Sequence, residues 1–279
     1  MKKQLIICSD MEGASGIFDN DINQVRHGSN DWRELGRANM TSDVLAVCEA
    51  ANEFGIDEII IYDGHYAGSA EFNILKEKMP ENVRFFDTEN RCFDWRRIRG
   101  QADQNPFGII TVGQHSRYGE DNAYFPHTVQ SPPLKAFWCN DLHLAEIGSA
   151  VASFQGVKYL ANIGCKASMK EAKELSDTVV EIPVKDKSKN WEPDSNETFS
   201  IIKNGVTKAL NNWETAKAFE MEGSCKMSLE LTDGYYFDAP TEFPWKGDFK
   251  KDVAYWEAVS IEVGLELFNC VRSCVKKLI

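Results

Sequence analysis

Three apolar runs in this chain end in the same kind of event. The run Leu5–Cys8 passes through Ser9 into Asp10-Met11-Glu12-Gly13, Ile59–Tyr62 runs into Asp63-Gly64-His65, and Ile109–Val112 runs into Gly113-Gln114-His115. In a parallel sheet these positions lie at the carboxyl ends of strands, where ligand sites form. Two histidines and three carboxylates (Asp10, Glu12, Asp63) thus arrive on one rim. Asp10 and Glu12 stand two residues apart, so extended backbone aims both to one side. Two carboxylates held close are costly unless a cation neutralises them. Joined by the imidazoles of His65 and His115, they make a borderline ligand set suited to Zn2+, with Mn2+, Co2+ or Ni2+ as alternatives. Gly13, Gly16, Gly64, Gly68 and Gly113 would allow tight turns around a buried ion. Taken singly, Asp10 and Asp63 read as turn caps and each histidine as a backbone-bonded side chain. Taken together, the set points to a metal.

Other reactive residues are less clearly placed. Glu146, in Ala145-Glu146-Ile147-Gly148, reads as an exposed first-turn acid favoured by the helix dipole, with His143 on the same face. His127, held in Tyr124-Phe125-Pro126-His127-Thr128, could carry protons near a metal or simply pack in a loop. His27 is expected to be solvated. Arg91, Arg96, Arg97 and Arg99 around Trp95 could hold a substrate carboxylate or a neighbouring subunit, though a solvated, ion-paired face is the default. Tyr235, Tyr236, Phe237, Phe243 and Trp245 could line a pocket or an interface, with core packing as the default.

The elements that must position these groups follow from periodicity. Strands are expected at Leu5–Cys8, Glu58–Tyr62, Val83–Phe86, Phe107–Val112, Leu134–Cys139, Val157–Ala161 and Thr178–Ile182. Helices are expected at Asp31–Phe54, with Gly55 as its C-cap, at Asp141–Phe154, with Asn140 or Asp141 as N-cap, and at Ser168–Leu175. This alternation predicts an α/β fold: a layered, largely parallel sheet flanked by helices. Beyond Pro183, Lys185–Asn190 reads as a polar connection, Ser195–Leu210 as a helix and Ser224–Leu231 as a half-buried strand. Asp252–Lys277 reads as a long closing helix whose Lys276 and Lys277 complement the dipole. The expected organisation is an α/β metal-binding body over 1–185 and a smaller C-terminal α+β lobe over 186–279.

Composition narrows the function. With 279 residues, 43% of them apolar, the chain can bury a sizeable core. A net charge of −12 argues against sequence-independent nucleic-acid binding, which needs a basic face. No apolar stretch is long enough to span a bilayer, and the one near the start is too short for a signal segment. Eight cysteines without a CxxC pair suit reduced thiols in a cytoplasmic protein. GxGxxG, Walker A, HExxH and GxSxG are all missing, which removes support for nucleotide, zincin and elbow-serine chemistry.

Ser9–Gly13, Asp63–His65, Gly113–His115, Pro126–Thr128 and Ala145–Gly148 resemble, in order and spacing, the motifs of the M55 peptidase family. The resemblance spans the first 150 or so residues well and continues more loosely to the C-terminus. It implies a dinuclear zinc site on Asp10, Glu12, His65, His115 and Glu146, with Asp10 bridging both ions, and His127 as the catalytic histidine. It also implies a ring-shaped homo-oligomer. The reaction implied is removal of N-terminal residues from short peptides or aminoacyl amides, often with D-stereochemistry, by a metal-activated water. A metal-dependent amidase acting on a non-peptide amide, or a binding or assembly protein on the same scaffold, are the alternatives. Two departures stand out. Gly164-Cys165-Lys166 replaces the family's usual Gly-Asp-Asp, and Gly64 stands where a Ser commonly precedes the first histidine. Neither removes a ligand; both bear on the pocket.

Overall fold

Along the first strand, successive side chains point to opposite faces, and Leu5, Ile6, Ile7 and Cys8 are all buried. Leu5 and Ile7 join one apolar core, while Ile6 and Cys8 join another. A sheet must therefore be covered on both sides, as the unbroken apolar run requires. The computed structural model, which describes residues 2–66, 71–87, 95–238 and 245–278, has this arrangement.

In chain order the elements are β1 (Gln4–Ser9), α1 (Arg37–Phe54), β2 (Glu58–Asp63), β3 (Val83–Phe85), α2 (Trp95–Gln101), β4 (Gly108–Gln114), β5 (Leu134–Cys139) and β6 (Leu142–His143). There follow α3 (Ala145–Ser153), β7 (Tyr159–Cys165), α4 (Ser168–Leu175), β8 (Val180–Lys185), α5 (Ser195–Asn211), β9 (Cys225–Leu231) and β10 (Tyr235–Phe237). The chain ends with β11 (Gly247–Phe249), β12 (Val253–Ala258), α6 (Ile261–Ser273) and β13 (Val275–Lys277). Six strands form a fully parallel sheet in the order β3-β2-β1-β4-β7-β8. A second, antiparallel sheet runs β11-β12-β9-β5-β6, and β10 pairs with β13.

Helices α1 and α5 pack on each other and cover one face of the parallel sheet. The other face shares its core with α3, α4, α6 and the antiparallel sheet. The expected α/β layered fold is therefore present. Several contacts cross position 185: α5 lies on β8, β7 and α1, α6 lies on α2 and α3, and β5 pairs with β9.

Several boundaries differ from the sequence expectation. The closing helix is replaced by strand β12, helix α6 and strand β13. Val253–Ala258 alternates in burial along a strand, and Ser260 caps a new helix by accepting from the Val263 amide. Lys276 and Lys277 pair with Tyr236 and Tyr235 across strands, so they do not serve a helix terminus. Asn140 and Asp141 do not cap α3 either. They form the two-residue turn of the β5–β6 hairpin, with Asn140 in the left-handed region at φ 52°. Strand β7 runs on past Ala161 because its polar Asn162 is satisfied inside the sheet by Thr111 at 2.7 Å and Ser168 at 3.0 Å. Lys185 is no connector residue; it ends β8 and is wholly buried.

Candidate metal centre

Strands β2, β1 and β4 are neighbours, so their carboxyl ends deliver Asp10, Glu12, His65 and His115 to one place. The loop after β1 is tied down by its neighbours. The Asp10 amide donates to the Val112 carbonyl and the Gly13 amide to the Gly113 carbonyl, both at 2.8 Å. Gly113 has φ 70°, and a Cβ there would sit 2.0 Å from the Asp10 carbonyl oxygen. Only glycine allows so close an approach.

The Asp10 carboxylate lies between two imidazoles. Its Oδ1 is 3.5 Å from His65 Nδ1, and its Oδ2 is 3.1 Å from His115 Nε2. Glu12 Oε2 is 3.0 Å from His65 Nδ1, and Glu146 Oε2 is 3.9 Å from His115 Nε2. The opposite ring nitrogens are fixed by carbonyls, which can only accept. His65 Nε2 donates to Val25 O at 2.6 Å, and His115 Nδ1 donates to Ser116 O at 2.8 Å. In the neutral imidazoles, both lone pairs therefore face carboxylate oxygens.

Lone pairs facing carboxylates at such distances require positive charge between them. Without a metal, protons must supply it. Burial lowers the pKa of His115 and His65, but Asp10 and Glu12 outweigh it, raising His115 to about 10 and His65 well above its usual value. Burial raises Asp10, and the two histidines overcome this to hold it well below the carboxylate range. Burial, then the charges of Asp10 and Glu12, push Glu146 well up. Asp10 Oδ2, Glu12 Oε2 and His115 Nε2 are buried without a hydrogen-bond partner. This donor set fits a divalent cation of borderline softness. Ligand-type atoms of Asp10, Glu12 and His115 lie within 4.8 Å of one another, as do those of His115, His127 and Glu146.

His127 stacks on His115, with centroids 3.8 Å apart and planes at 13°. Its Nδ1 donates to Phe125 O at 2.8 Å, leaving Nε2 as an acceptor. Burial, then the His115 charge, hold its pKa below the usual histidine value. A cavity of about 840 Å³ opens over these groups, lined by Asp10, Glu12, His65, His127 and Glu146 among others. That volume suits a small-molecule or short-peptide ligand.

Glu146 was expected from periodicity to be a surface acid. Instead the β5–β6 hairpin turns the first turn of α3 inward, leaving the Glu146 side chain 14% exposed. Asp63 is the turn cap, not part of the constellation: it accepts from the Asn73 and Ile74 amides at 2.7 and 3.2 Å. His143 stacks on Trp138, while His27, expected to be solvated, is half-buried against Trp32. Arg97 pairs with Asp87, Arg96 reaches Glu266 at 3.9 Å, and Arg99 bonds backbone carbonyls. Phe237 is core and Trp245 packs against it; Gly68, Arg91, Cys92 and Phe243 lie outside the described residues.

Two supporting residues carried no sequence signal. Asn73 Nδ2 donates to Asp63 Oδ1 and to the His65 carbonyl, and its Oδ1 accepts from Trp32 Nε1 at 2.9 Å. It fixes the backbone of His65. Lys185 Nζ donates to the carbonyls of Glu12 at 2.7 Å and Ala14 at 3.0 Å, and to that of Ile17, caging the loop after β1 from beneath. Cys165, at the position of the family departure, packs against Ala123 and Tyr124 in the loop that carries His127.

A buried carboxylate–imidazole cluster at the ends of adjacent parallel strands is the construction of a metal-dependent α/β protein. The sequence model of the M55 peptidase family, described as D-aminopeptidase, matches residues 3–269, and the chain belongs to this family. Among solved structures, the fold resembles the Zn-dependent D-aminopeptidase DppA from Bacillus subtilis, a self-compartmentalizing protease. The TM-score is 0.82 at 20% identity, covering 97% of each chain. Comparison with curated protein sequences gives no match. Among the described residues, no helix is long and apolar enough to cross a membrane.

Proposed function

We propose that this protein is a zinc-dependent aminopeptidase that releases the N-terminal residue of short peptides, with D-residues as the first stereochemistry to test. The carrying observation is the Asp10 carboxylate, whose two oxygens face two imidazoles pinned from behind by carbonyls. A carboxylate so placed would be able to serve two cations at once. Asp10, Glu12 and His65 would hold one ion, and Asp10, His115 and Glu146 the other. Zinc supplies an acidified water and a polarised carbonyl oxygen.

The chain's own residues do the rest. Val25 and Ser116 carbonyls fix the tautomers of His65 and His115, so each presents a lone pair to the centre. His127, kept neutral, accepts a proton at Nε2 and returns it to the departing amine nitrogen. The Zn2+ centre with its small peptide substrate is enclosed, in this reading, by a ring-shaped homo-oligomer.

Metal analysis of protein purified without chelator tests the centre directly. About two zinc ions per chain are expected, with a lower melting temperature after EDTA treatment, since metal bound to the native state stabilises it. Absence of bound transition metal, together with no uptake on titration, would defeat the reading. A panel of L- and D-dipeptides and aminoacyl amides then reads bond and stereochemistry, and light scattering reads the assembly.

A further inference from the structure

Two histidines of the centre depend on one carbonyl. Ser116 O accepts from His115 Nδ1 at 2.8 Å and from the His127 backbone amide at 3.1 Å. The peptide unit that carries this oxygen is gripped at its other end by α4. The Arg117 amide donates to Glu171 Oε1 at 2.8 Å, and the Ser116 hydroxyl donates to the same oxygen. We infer that Glu171 is a positioning residue, acting through the Ser116–Arg117 peptide to hold the metal ligand His115 and the proton carrier His127 in their stacked arrangement. This rests on the aminopeptidase reading above, which assigns those two roles.

A trans peptide makes the link stiff. Its C=O and N–H point in opposite directions within one rigid plane, so a carboxylate that holds the N–H sets where the carbonyl points. Hydrogen bonds in a chain also polarise one another, so an acceptor on the Arg117 amide makes the Ser116 carbonyl a better acceptor for His115. That carbonyl serves a ring on one side and a backbone amide on the other. A shift at Glu171 therefore moves both histidines at once.

The clamp is buried and anchored. Glu171 is 6% exposed and Ser116 2%. A carboxylate taken out of water costs free energy that an apolar residue of similar size does not. What Glu171 adds over such a residue is its acceptance from Ser116 and Arg117. Helix α4 is itself tied to the parallel sheet, because Ser168 Oγ donates to Cys165 O at 2.8 Å and accepts from Asn162 Nδ2 at 3.0 Å. Nearly one turn beyond Glu171, Glu174 accepts from Arg117 Nη1 and Nη2 at 3.0 and 3.2 Å. The helix thus holds Arg117 by its main chain and by its side chain.

The test compares Glu171→Ala with Glu171→Gln, whose amide oxygen can still accept from Ser116 and Arg117. Hydrogen exchange read by mass spectrometry needs neither zinc nor turnover. Glu171→Ala should exchange faster within residues 115–128 alone, with α4 and β7 as protected as in wild type. On zinc-loaded protein, chelator competition should show about 10–100-fold weaker binding at the position containing His115, the scale for a residue that orients a ligand. The position on Glu12 and His65 should be unchanged. At saturating zinc, kcat should fall about tenfold or more with KM steady, since His127 is misplaced as well. Glu171→Gln should recover most of each loss. If Glu171→Ala does not fold, Ser116→Ala removes one of the two donors and should give the same exchange and zinc pattern at smaller size.

Exchange at 115–128 and zinc affinity both equal to wild type in the folded variant overturn the role. Faster exchange throughout α4 and β7, equal weakening of both zinc positions, or a Glu171→Gln variant no better than alanine would make Glu171 a general structural residue, and overturn it too. Segment-specific exchange with selective zinc loss, in a protein that cleaves no peptide, would support the clamp and count against the aminopeptidase reading alone.

Discussion

Asp10, Glu12 and His65 stand within three residues of the ends of β1 and β2, whereas His127 and Glu146 are delivered by a loop and by the start of α3. The first group is locked by sheet geometry, by the Asn73 network and by the Lys185 cage. The second group depends on unusual backbone. Phe125 and Val129 flank His127 at φ 51° and 55°, and Ala145 precedes Glu146 at φ 46°. Tyr66, next to His65, is the first group's single example, at φ 50°. Four of the six positive-φ non-glycine residues among those described therefore lie within two positions of a proposed site residue. Such conformations cost about 1–3 kcal/mol each and persist only where surrounding structure enforces them. One half of the centre is thus rigid by topology, while the other is held in place against a local backbone cost.

The largest test of this division is its shared member. Asp10 faces both halves, so Asp10→Ala should empty both zinc positions and lower kcat/KM by about a thousandfold or more, several kcal/mol of lost metal assistance. Retention of one full equivalent of zinc would show that Asp10 serves only one half.

His127→Ala comes next. It should keep its zinc and lose about 10²–10⁴-fold in kcat, the scale of general acid–base catalysis. A drop in zinc content instead would make His127 a ligand, which its proximity to His115 and Glu146 allows. The pH profile gives an independent sign. Burial and the His115 charge both lower the His127 pKa, and bound cations act in the same direction. The basic form therefore persists below the ordinary histidine value of about 6.5. The acid limb of kcat should fall below that value in wild type and vanish in His127→Ala; a limb above it would exclude this role.

Asn73→Ala probes the rigid half alone. Residues that orient a metal ligand typically contribute about 10–100-fold in affinity. Competition with a chelator should show that loss at one zinc position, with the other unchanged. Equal weakening of both would mean the halves are not independent.

The rigid half was legible in the sequence because strand ends are. An apolar run that stops in Asp-x-Glu or Gly-His declares both its burial and its rim, and Asp10, Glu12, His65 and His115 followed. Glu146 was not legible from periodicity, because its inward placement depends on a hairpin turn at Asn140-Asp141 that resembles a helix cap in sequence. The family motif supplied it instead. Lys185 was missed because lysine is almost never fully buried, and only three converging carbonyls make that position tolerable. The closing segment misled for a different reason: the alternation of Val253–Ala258 ran directly into the helical period of Ile261–Ser273, and the two merged into one apparent helix.

The smallest expected effect bears on the strained half. Ala145→Gly removes a left-handed penalty of about 1–2 kcal/mol. It also gives back about 0.4–1 kcal/mol through the freer unfolded chain and about 0.8 kcal/mol through one buried methyl group. The terms nearly cancel, so stability by denaturant titration should stay within about 1 kcal/mol of wild type. Function should not be equally indifferent. A glycine there frees the backbone that aims Glu146, so zinc affinity at the second position should weaken by a few-fold while the first, on Glu12 and His65, holds. Unchanged affinity at both positions would mean that α3 itself, packed through the buried Ile147, Ala150 and Val151, fixes Glu146 without help from the turn before it.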